Sequence, residues 1–106
     1  MTDDDLRRTV DLLARQVGHW EAPRWAAPAA DGSGSRADAV HAVVQRIADL
    51  AADAEGVGRR PVPRLEHDLG LADQLRVVAA DLVAAGPPPS VLTAAAADVA
   101  AVRRLL

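Results

Sequence analysis

The residues best equipped for chemistry in this chain are its three histidines and the polar groups beside them. Asp38-x-x-His41 sets a carboxylate and an imidazole one helical turn apart, with Gln45 one turn further along. Such a pair can share a proton or a divalent cation. His19, beside Trp20, and His67, beside Asp68, bring the remaining imidazoles. Asp38, His41, Gln45, His19 and His67 together describe an oxygen- and nitrogen-rich site for a small ligand or a divalent metal, and an enzyme is one form that reading takes. The spacing argues the other way. Three scattered histidines contain no H-x-x-x-H pair. A hydrogen-bonding role for His41 and Gln45 against a neighbouring helix or subunit, fixing packing register, is the favoured reading. No cofactor is expected.

Other catalytic groups are scarce. The chain has no Cys, which excludes disulfides, thiolate catalysis and Cys-ligated zinc. Ser33, Ser35 and Ser90 sit in a Gly-rich stretch or at helix starts, and none lies in a G-x-S-x-G elbow. Gly32-Ser33-Gly34-Ser35 lacks the Lys and the spacing of a phosphate-binding loop.

A second set of residues suits recognition. Trp20 and Trp25 are the only aromatic residues, and each can anchor a loop on a core edge or line a groove for a partner. Loop anchoring is the simpler role. Arg59, Arg60 and Arg64 form the only basic cluster, in a stretch stiffened by Pro61 and Pro63. They can meet an acidic partner or remain solvated.

Those residues must be held by helices. From Ser35 to Gly56, Val40, Val43, Val44, Ile47, Leu50, Ala51 and Ala54 recur at three- and four-residue steps, the stripe of an amphipathic helix. Ser35-x-x-Asp38 forms a capping-box-like start, and Gly56 or Gly58 supplies a left-handed stop. Thr2-x-x-Asp5 opens an earlier helix with the stripe Leu6, Val10, Leu13 and Val17, ending near Gly18. A third helix spans about 69–85 on Leu71, Leu75, Val78 and Leu82. A fourth follows Pro88 and Pro89 with Leu92, Ala95, Val99, Val102 and Leu106. Residues 21–34 are a Pro/Gly break, with a flexible loop expected over about 26–35. Residues 57–68 are an extended Pro/Arg-rich connector. The short link between the last two helices favours an antiparallel pair. The expectation is one all-α domain over residues 1–106, an antiparallel up-down four-helix bundle.

Composition bounds what such a bundle does. Ala supplies 24 of the 106 residues, so the core is thin in apolar area although helix propensity is high. Self-association, in a homodimer or with a protein partner, would add burial. All twelve positive charges are Arg, consistent with a high-GC genome, and the net charge of −3 argues against nucleic-acid binding. No apolar run approaches a membrane span and the first residues are acidic, so the cytoplasm is the expected compartment.

Trp20-Glu-Ala-Pro-Arg-Trp25, Arg36-Ala-Asp-Ala-Val-His41, the run from Gln45 to Glu55, Pro63-Arg-Leu65 and the stretch from Asp68 to Leu82 together resemble uncharacterised small helical proteins of high-GC actinobacteria. The resemblance implies an all-helical cytoplasmic protein and assigns no activity. Secreted helical hairpins with a W-x-G turn are excluded, because Trp20 is followed by Glu21 and Ala22. The resulting expectation is a non-enzymatic interaction or self-assembly module, with the His41-centred site as the alternative.

Overall fold

A computed structural model describes residues 2–106, with side chains from Asp3 onward. The described residues form five α-helices: α1 (Thr2–Val17), α2 (Ala22–Ala26), α3 (Arg36–Glu55), α4 (Leu71–Ala84) and α5 (Pro89–Arg103). A 3-10 turn, Asp68–Gly70, leads into α4. No helix among them is long and apolar enough to cross a membrane.

The apolar periodicity places each long helix. Leu6, Val10, Leu13 and Val17 of α1 are buried, as are Val40, Val43, Val44 and Ile47 of α3. Leu71, Leu75 and Leu82 of α4 meet them, with Leu92, Ala95 and Val99 of α5. No polar side chain is buried among the described residues, so hydrophobic burial alone defines this core. The expected Thr2 cap lies outside the described side chains. At α3 both halves of the capping box are present: Asp38 N–H donates to Ser35 Oγ at 3.0 Å, and Ser35 N–H donates to Asp38 Oδ2 at 3.1 Å. Gly56 ends α3 at φ 72°, a conformation that strains any side chain.

The helix α2 was not expected from the sequence, which marks 21–34 as a break. It is a single turn with Pro23 in its first positions, too short to show periodicity. The segment after it is hydrogen-bonded. Arg36 N–H donates to Ala27 O and Ala29 N–H to Gly34 O, both at 2.8 Å. Ala30 N–H reaches Leu105 O at 2.9 Å, tying the segment to the end of α5.

The order of the helices departs from simple up-down alternation. α1 packs on α4 and α5, and α3 packs on the same two helices. Gln16 and Arg103, each near the C-terminal end of its helix, are bonded at 3.1 Å, so α1 and α5 run the same way. Arg76 faces Asp11 and Arg46 faces Asp98, and the surrounding residues pair α1 antiparallel to α4 and α3 antiparallel to α5. α3 and α4 are then parallel: Arg64, just before α4, contacts Asp38 at the start of α3, and Val78 and Asp81 lie opposite Ala51, Ala52 and Glu55 at its end. The physical reason is the connector. Two prolines keep it extended, and it retraces the length of α3 before α4 begins.

Candidate functional site

The connector, residues 57–67, lies as a strap along α3 and α4. Val62 packs on the core, and polar side chains from both helices hold its backbone. Gln45 Nε2 donates to Arg60 O at 3.0 Å, and Val62 N–H donates to Gln45 Oε1 at 2.7 Å. One amide thus brackets Pro61 as a neighbouring residue of a parallel strand would. His41 Nε2, one turn earlier, lies 3.1 Å from Val62 O, where it acts as the donor. Gln74 Nε2 of α4 donates to Pro63 O at 3.0 Å. His41 and Gln45 therefore fix the register of an extended segment.

Ion pairs pin both ends of the strap. Arg59 donates to Asp53 Oδ1 at 2.9 Å and Oδ2 at 2.6 Å, a two-point contact. Arg64 reaches Asp38 at 3.0 Å and Asp68 at 3.4 Å. The hydrogen bond from Arg59 lowers the Asp53 carboxyl below its usual range. The Ser35 N–H, and after it Arg64, do the same for Asp38. Arg60 differs: it has no carboxylate within ion-pair distance among the described residues.

Between the strap and the two helices lies an open cleft of about 540 Å³. Ala48, Ala51 and Ala52 of α3 and Val78 of α4 give it a small-residue floor, while Glu55, Asp81 and Arg60 stand among its walls. It contains no hydroxyl nucleophile, imidazole or amine. The arrangement suits binding and offers no nucleophile–base pair.

The tryptophans occupy a separate corner. Trp20 and Trp25 are 5% and 1% exposed, so both are core anchors of the α2 region. Their rings meet edge to face, centroids 5.2 Å apart. Arg24 and Arg36 lie over Trp20, with Cζ 5.5 Å and 5.3 Å from its centroid.

The residues grouped by sequence as a ligand or metal set share one end of the molecule but do not converge. His19 lies 3.4 Å from Arg24 NH1, His41 holds the strap, and His67 is exposed ahead of the 3-10 turn. Asp38 serves the α3 cap and Arg64. Among the described residues no three His, Cys, Asp or Glu side chains form a group able to hold a metal ion. Gln74 and Arg36 escaped the sequence reading. Gln74 flanks the α4 stripe, and only knowledge of the strap's path marks it as a partner. Arg36 follows a capping serine and carries no spacing signal of its own.

No protein-family model, curated protein sequence or solved structure matches this chain.

Proposed function

We propose that the protein is a non-enzymatic interaction module that self-associates through the outward face of α4. The observation that carries this reading is a solvent-facing apolar stripe. Leu69, Val77, Ala80 and Ala84 recur at helical spacing and are all exposed, Leu69 at 57% and Val77 at 60%. Asp73 lies on that stripe, and Arg76, paired with it at 3.9 Å, stands along its edge. The strap cleft lies on an adjoining side of the same helix. A surface of one helix face falls at the small end of specific interfaces, below roughly 800 Å² per partner, and fits a weak, concentration-dependent dimer. A chain with 24 Ala among its 106 residues has limited apolar area to bury within itself and gains from added burial.

The alternative of a metal or small ligand at His41 has less support, because His41 Nε2 and both amide atoms of Gln45 are already engaged by the strap. Nucleic acid is a poor partner for a chain of net charge −3 whose Arg59 and Arg64 are paired with its own aspartates. A cytoplasmic location and kinship with small helical actinobacterial proteins belong to the same proposal and rest on composition and the resemblance of segments.

Sedimentation equilibrium over a wide concentration range, on the native chain and on Val77→Asp, tests the reading. The expected result is a dimer that grows with concentration and disappears in V77D. A native chain that stays monomeric throughout overturns self-association, as does a dimer indifferent to V77D.

A further inference from the structure

We propose that the corner around Trp20 is a binding site for a small oxyanion, a carboxylate or a phosphate monoester. Two guanidiniums from different helices, Arg24 of α2 and Arg36 of α3, lie over the one indole. Neither has a carboxylate within ion-pair distance among the described residues, whereas Arg59, Arg64, Arg46 and Arg76 each do. Both guanidinium carbons lie within 5.5 Å of the ring centroid, so their fields act on one corner, and Glu21 is the one carboxylate lining the recess beside it.

Their polar contacts are weak. Arg36 NH1 reaches Arg24 O at 3.4 Å, and Arg36 Nε is buried without a partner. Arg24 NH1 lies 3.4 Å from His19 Nε2. Most of the donors on these forks remain unspent, and a planar fork is the group best matched to a carboxylate or phosphate. Beside Arg24 is an open recess of about 310 Å³, lined by His19, Trp20, Glu21, Pro23 and Arg24, so Arg24 is the fork that meets the anion, while Arg36 lies outside the lining and adds only its field. The size of the recess suits a small molecule carrying one anionic group. The helix terminus at Ser35 takes no part, since its N–H groups are already used by the capping box. Glu21 is the one opposing charge in the recess and forms no ion pair with Arg24.

The test uses the two tryptophans as reporters. The native chain is titrated with inorganic phosphate and, separately, with acetate at ionic strength held constant by chloride. Emission and the two indole N–H resonances are followed. A saturable change confined to the Trp20 indole is expected. Response to phosphate alone assigns a phosphate group, and an equal response to acetate assigns a carboxylate. Arg24→Gln should weaken binding about tenfold or more, and Arg36→Gln, which removes a neighbouring charge only, should weaken it about two- to threefold. Glu21→Gln should tighten it about two- to threefold, and Arg60→Gln should leave it unchanged. Absence of saturation with both anions, a response that chloride reproduces, or binding that survives both arginine substitutions overturns the proposal. Should either arginine variant fail to fold, the Trp20-specific resonance shift in the native chain decides alone.

Discussion

Replacing Gln45 with Ala should release the strap. The substitution deletes the bond from Val62 N–H at 2.7 Å and the bond to Arg60 O at 3.0 Å; it also deletes a half-buried 2.9 Å bond to Asp49 within α3, which does not touch the strap. Each strap bond is worth about 1 kcal/mol net, so the pair contributes about 2 kcal/mol. Pro61 and Pro63 supply no N–H, so the side-chain bonds left to the strap's backbone from α3 and α4 are those it accepts from His41 and Gln74. Amide exchange at Val62 should accelerate about 30-fold, the factor equivalent to 2 kcal/mol. The melting temperature should fall by up to about 8 °C, at roughly 4 °C per kcal/mol for a domain of this length. Gln45→Glu keeps the acceptor but loses the donor to Arg60 O and adds a charge near Asp49, so it should fall between the two. The assay is site-resolved hydrogen exchange, with Val44 as the core reference. Val62 exchange within about threefold of the native rate, with an unchanged melting temperature, would refute the argument that side-chain amides hold the strap.

Gly34→Ala should damage the start of α3, because Gly34 adopts φ 145° and an added Cβ would lie 2.9 Å from Asp38 Oδ2. A loss of about 1–3 kcal/mol is expected in a urea melt, and a neutral substitution would contradict the capping geometry. Asp38 has a folded pKa below its usual 3.8, so its contribution is present above that value and is lost as pH falls through the folded pKa. Asp38→Asn should therefore flatten the decline of melting temperature below about pH 4, and an unaltered slope would count against the assignment. Trp25→Phe should cost about 1–3 kcal/mol by denaturant unfolding, from the cavity left at a fully buried site, with no hydrogen bond lost at Trp25 Nε1.

The four long helices were legible because their apolar residues recur without interruption, and the residues of the α1 stripe are buried as their spacing requires. The α3 cap was legible for the same local reason: Ser35 and Asp38 are three residues apart and satisfy each other. The course of the chain between helices was not. A bond between Gln45 and Val62 joins residues with no periodic relation, and nothing in the Pro/Arg segment reveals that it retraces α3. That path makes α3 and α4 parallel, which the lengths of individual links do not encode. The tryptophans are buried, as a loop anchor requires, while the pairing of Arg24 with Arg36 over Trp20 depends on a turn of helix too short for any pattern.

The packing of α1 against α5 has a consequence for synthesis. Helix α1 waits for its partner α5: 86 residues separate Val17 from Arg103, which is about 4–17 s of translation. Throughout that interval Leu6, Val10, Leu13 and Val17 lack one of the two helices that cover them, and α4 arrives first. A nascent chain stalled before residue 89 therefore presents a sticky helix to its surroundings. Chaperone engagement of the nascent chain is expected on this face of α1, with release on completion of α5.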